Sequence, residues 1–218
     1  MDFSQYFPVW DKLTESERNA LVSSAVNRSF RKGEILHRNS DECTGFLLIR
    51  SGQIRAYTTS PDGKEVTLYR LLEQDVCLFS ASCMIRSVSF DISLSAEKDS
   101  EITVIPADVY KKLMNTSAPL ANFTNELMAS RFSDVMWLIE NIMWQSFDKR
   151  LASFLLEESN LESSLTLRIT HENIGNHLGS PREVVTRMLR YFSDEGLVSL
   201  SRGTITICNA AKLAAVSQ

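Results

Sequence analysis

Residues 169–207 read ITHENIGNHLGSPREVVTRMLRYFSDEGLVSLSRGTITI, two short amphipathic helices separated by one glycine and followed by a two-stranded ribbon. Thr170 stands where a helix N-cap is needed, with Asn173 three residues on. Ile174 and Leu178, at i and i+4, give that helix one apolar face. Gly179 follows, the residue that most cheaply adopts the left-handed conformation ending a helix. Ser180-Pro181-Arg182-Glu183 predicts the next start, with Ser180 as N-cap, Pro181 in the first turn and Glu183 completing a capping box. Val184, Val185, Met188, Leu189 and Phe192 form the buried face of this second helix, which leaves Arg182, Glu183, Thr186, Arg187 and Arg190 on other faces. Gly196 closes it, and residues 197–200 and 204–207 pair as a ribbon across Ser201-Arg202-Gly203. This order of elements is a winged helix-turn-helix, a device that seats its second helix in the major groove of DNA.

The segment resembles the DNA-binding domain of the Crp/Fnr family of bacterial transcription regulators. The resemblance rests on Thr170, Ile174, Gly175, Leu178, Gly179, Arg182-Glu183, Arg187, Leu189, Gly196-Leu197-Val198 and Gly203-Thr204-Ile205. Arginine can bridge guanine O6 and N7 with two hydrogen bonds, so Arg182 and Arg187 are the candidate base contacts. The resemblance adds Glu183 as an acceptor for cytosine N4, and implies inverted repeats whose half-sites carry a T-G-A core. Thr170, Ser180, Thr186 and Arg202 are candidates for the DNA backbone or for caps. The formal net charge of −4 does not itself point to nucleic acid, but positive charge gathers on the second helix and the wing.

Upstream, residues 14–25 begin with the capping box Thr14-Glu15-Ser16-Glu17 and predict a helix. Strand patterns follow at 27–30, 34–37, 45–50, 53–59, 65–72, 90–96 and 101–106, with Asp62-Gly63 as a hairpin turn. Many short strands with turns between them predict a closed β-roll. The runs at 32–36 and 48–55 resemble the opening strands of the cyclic-nucleotide-binding-like roll. A short helix is expected at 108–115 and a long one from Pro119 to about 142. On the long helix Met128, Phe132, Val135, Ile139 and Ile142 alternate at spacings of four and three, a heptad stripe suited to a dimer seam. A second stripe, Leu120, Phe123 and Leu127, would pack on the roll. A further helix at 147–157 leads through a polar loop to the helix-turn-helix. The expected class is α+β, with a sensor roll at 1–116, a dimerisation helix at 117–145 and a DNA-binding domain at 146–218.

Cyclic-nucleotide binders of the resembling fold carry a phosphate cassette with a Gly-Glu-Leu start and an Arg-Thr/Ser-Ala end. Residues 73–88 have neither, so cyclic AMP is not the expected effector. The candidate effector region is Cys77, Ser80, Ser82, Cys83 and Arg86, either as a thiol switch or as the wall of a small-ligand site, with buried core cysteines as the plainer reading. An iron-sulfur cluster would have to recruit Cys43, Cys77, Cys83 and Cys208, a scattered set, and His37 is a single histidine on a strand, so no metal or cofactor is assigned. No His/Glu cluster or catalytic triad supports an enzyme on a cupin-like barrel, the other class such a roll admits. The N-terminus lacks a signal-peptide pattern, and a cytoplasmic location is expected. The expected protein is a homodimeric, non-enzymatic regulator of a palindromic operator. Its partners would be double-stranded DNA, a second copy, RNA polymerase and an unknown small-molecule or redox effector, with no membrane; a constitutive regulator without ligand is the alternative.

Overall fold

A computed structural model describes residues 2–38, 45–78 and 92–218. The chain divides into two compact units, one formed by Met1–Thr59 and Leu68–Val135, the other by Ser60–Thr67 and Met136–Gln218.

The first unit opens with two short 3-10 turns, Phe3–Gln5 and Trp10–Lys12, that the sequence pattern did not announce. Helix α1, Glu15–Ser24, starts as expected. The Thr14 hydroxyl accepts from Glu17 N, and the Glu17 carboxylate accepts from Thr14 N, which satisfies two otherwise unpaired donors. Among the described residues eight strands follow: β1 Val26–Phe30, β2 Ile35–His37, β3 Phe46–Ser51, β4 Ile54–Thr59, β5 Glu65–Leu71, β6 Val76–Cys77, β7 Ser93–Ala96 and β8 Ser100–Ile105. They form two four-stranded sheets, in the orders β1-β8-β3-β6 and β2-β7-β4-β5. β6 is an addition to the expected set; a two-residue strand carries no alternation to detect.

The roll interior is made by Leu47, Ile49, Ile54, Ala56, Leu71, Leu94 and Ile102, all essentially inaccessible. A second cluster joins one sheet to the helices. Phe46 stacks on Tyr110 of α2, Ala107–Thr116, with centroids 4.2 Å apart, and Phe7 packs edge-on to Phe123 of α3, Ala118–Trp144. Leu120 and Phe123 are buried there and Leu127 packs against them, as the second apolar stripe predicts. Met128 packs on the same cluster, so the expected dimer stripe loses its first member to the roll. The remaining stripe stands open: Phe132 is 66% exposed, Ile139 41% and Ile142 44%, with Val135 half-buried.

The second unit holds α4 Phe147–Leu161, β9 Thr166–Leu167, α5 His171–Leu178, α6 Arg182–Asp194, β10 Val198–Ser201, β11 Thr204–Ile207 and α7 Ala210–Ser217. α4 runs one turn past its expected end. The wing is a three-stranded sheet in the order β10-β11-β9, because Leu167 pairs with Ile205. Leu151, Leu155, Ile174, Val185, Leu189, Phe192, Ile205 and Leu213 meet in one core, with Leu213 brought in by the unforeseen α7.

Candidate nucleic-acid interface

α5 begins at a well-made cap. The Thr170 hydroxyl accepts from Asn173 N at 3.1 Å and donates to Asn173 Oδ1 at 2.8 Å, so its hydrogen-bonding is used locally. α5 ends at Gly179, with φ +63° and ψ 34°, the left-handed conformation expected of it. Arg150 of α4 donates to the last α5 carbonyl, Leu178 O, at 3.1 Å. The turn is closed by Ser180 N–H, which donates to Gly175 O at 2.9 Å.

α6 starts one residue later than expected. Pro181 is the N-cap and no side chain caps the helix, so the predicted Ser180–Glu183 capping box is absent. Ser180 N–H, which a capping box would give to the Glu183 carboxylate, is already held by Gly175 O. Glu183, freed from capping, is exposed. Val185, Leu189 and Phe192 face the core. At 100° per residue, Glu183 and Arg187 then lie about half a turn from that buried line, and both are exposed. Arg182, Thr186 and Arg190 form the adjoining i, i+4 row, with both arginines exposed. Thr186 is half-buried: its hydroxyl lies 2.9 Å from Arg182 O and 2.9 Å from His171 Nδ1 of α5. It thus ties α6 to α5.

His171 is the residue that sequence reasoning missed, because nothing in its local pattern shows that a residue fifteen positions later will meet it. Burial, then the nearby Arg182 and Arg190 guanidinium groups, push its imidazole below the usual histidine pKa. Arg202 is exposed in the turn between β10 and β11.

Among the candidate effector residues only Cys77 is described; Ser80, Ser82, Cys83 and Arg86 lie outside the described residues, as does Cys43. Cys77 is 1% exposed in β6. Burial, then the adjacent Cys77 thiol, raises the Tyr69 hydroxyl well above its ordinary pKa. The Arg131 guanidinium of α3 stands over the Tyr69 ring at 4.8 Å. Among the described residues no group of three or more His, Cys, Asp or Glu could hold a metal ion, and no helix is long and apolar enough to cross a membrane.

Two family models match the chain: a cyclic nucleotide-binding domain over residues 27–117 and a Crp-like helix-turn-helix domain over residues 149–216. The solved structure of a crp/fnr-family transcriptional regulator from Eubacterium rectale is 55% identical, with a TM-score of 0.95 over 97% of this chain and 98% of that one. The anaerobic regulatory protein of Aggregatibacter actinomycetemcomitans is 29% identical over 87% of this chain and 76% of its own length. The cyclic AMP receptor protein of Thermus thermophilus is 24% identical over 94% of both chains. With a β-roll, a long helix and a winged helix-turn-helix in the matching order, the chain belongs to the Crp/Fnr family of DNA-binding transcription regulators.

Proposed function

We propose that the protein acts as a homodimer on an inverted-repeat operator and places α6 of each protomer in the major groove. Arg182, Glu183 and Arg187 contact base edges there, and Arg202 contacts the backbone from the wing. The observation that carries this reading is the paired exposure of Glu183 and Arg187 on the α6 line opposite Val185, Leu189 and Phe192. One carboxylate and one guanidinium a helical turn apart suit a cytosine N4 donor and a guanine O6/N7 pair on neighbouring base pairs. Thr170 offers the backbone its peptide N–H, because its side chain caps α5, and Ser180 offers its hydroxyl, because its N–H closes the turn.

The dimer forms through Phe132, Val135, Ile139 and Ile142, whose exposure on α3 leaves a heptad stripe open for a second copy. The roll responds to a small molecule other than cyclic AMP, received around Cys77–Leu78 and the segment after it, and the DNA-bound dimer acts on RNA polymerase. Selection of duplexes from a random-sequence pool tests the reading. It predicts recovery of inverted repeats with half-sites about one helical turn apart; recovery of unrelated sequences would defeat it.

A further inference from the structure

We propose that His171 Nε2 is a ligand for a DNA backbone phosphate, and that protonation of the imidazole turns this contact on. The proposal rests on the DNA-binding reading and adds to it a residue and a condition. The Thr186 hydroxyl has one proton, and its 2.9 Å contact with Arg182 O uses it as a donor. The 2.9 Å contact with His171 is therefore made by Nδ1–H donating to Thr186 Oγ1. We assign the neutral tautomer accordingly, with the proton on Nδ1 and a lone pair on Nε2. Nε2 lies across the ring from Thr186, on a half-exposed side chain, and has no hydrogen bond among the described residues. A lone pair on Nε2 has no proton to donate to a phosphate oxygen, which is itself an acceptor. Only the imidazolium, which keeps Nδ1–H on Thr186 and gains Nε2–H, can donate to one.

The surrounding charges determine when this happens. From α6, Arg182 and Arg190 face the ring and oppose its protonation; on α5 the next residue, Glu172, is exposed. In the free protein burial and these two guanidinium groups therefore disfavour the imidazolium. A phosphodiester seated against this row offsets both guanidinium charges and accepts from Nε2–H, so protonation becomes favourable in the complex. Binding then takes up a proton, and affinity rises as pH falls from the bound-state pKa towards the free one, by up to about tenfold per imidazole per pH unit.

The experiment measures the Kd of full-length protein for a duplex selected from a random pool at about pH 8, repeated down to about pH 5.5 at fixed salt. Wild type, His171→Ala, His171→Arg and, as a control histidine, His177→Gln are compared after circular dichroism confirms that each is folded. Wild type and His177→Gln should tighten several-fold as pH falls. His171→Ala should be weaker at low pH with most of that slope gone. His171→Arg should bind tightly with little pH dependence, since its charge is permanent. A slope in His171→Ala equal to that of wild type overturns the proposal while leaving DNA binding intact. Failure of all four proteins to bind any selected duplex overturns the DNA-binding reading itself, and this proposal with it.

Discussion

Gly175 and Ser180 touch across the turn that joins α5 to α6: Ser180 N–H donates to Gly175 O at 2.9 Å, and a Cβ on Gly175 would stand 2.5 Å from Ser180 O. The two helices reach their crossing because residue 175 has no side chain. Gly175→Ala must push the backbone of the turn outward, at a cost of about 1–3 kcal/mol. Thermal or denaturant unfolding should show that loss, and operator affinity should fall because α6 is displaced. A variant as stable as wild type with unchanged affinity would mean the turn has slack that this geometry does not show.

Ile139 lies on the open face of α3 and is 41% exposed, so a charge there costs the isolated fold little. In a dimer seam the same charge is desolvated, at a cost of several kcal/mol. Ile139→Glu should therefore keep its circular dichroism spectrum but sediment as a monomer at micromolar concentration where wild type is a dimer. A monomeric wild type would remove the seam from the account.

Cys77 is buried at 1% exposure and Cys208 is exposed, so their reactivities should separate sharply. Peptide mapping after brief alkylation of the native protein should find Cys208 modified and Cys77 protected, with Cys77 reacting only as the roll opens. Operator binding by Cys77→Ser with Cys83→Ser should match that of wild type under reducing and oxidising conditions. A redox-dependent shift in wild type that vanishes in this double variant would make the cysteines the sensor.

The sequence made legible what local chemistry specifies. Thr14 with Glu17, Thr170 with Asn173, and Gly179 form the caps their spacing predicts, since capping depends on residues within one turn. The Ser180–Glu183 box did not form because Ser180 N–H, which the Glu183 carboxylate would have accepted, is held by Gly175 O, and α6 begins one residue later at Pro181. β6, β9 and α7 were not foreseen: two strands are only two residues long, and Ala210–Ser217 has little polar contrast between its faces. Met128 satisfies the heptad spacing, yet packs on the roll, because a period identifies an apolar line without naming its partner. The His171–Thr186 bond spans two helices, and no window of sequence that ends before the turn contains it.

The central claim is that exposed side chains of α6 read base edges. Arg187→Ala tests it most directly, measured by the Kd for a selected operator and for random-sequence duplex at the same salt. Arg187 is exposed and lies opposite the buried line of α6, so its truncation should leave the fold intact. The account predicts a loss of about 1–3 kcal/mol on the operator, a relaxed preference at one guanine, and little change on random DNA. Equal losses on operator and random duplex would make Arg187 a phosphate contact and contradict the claim.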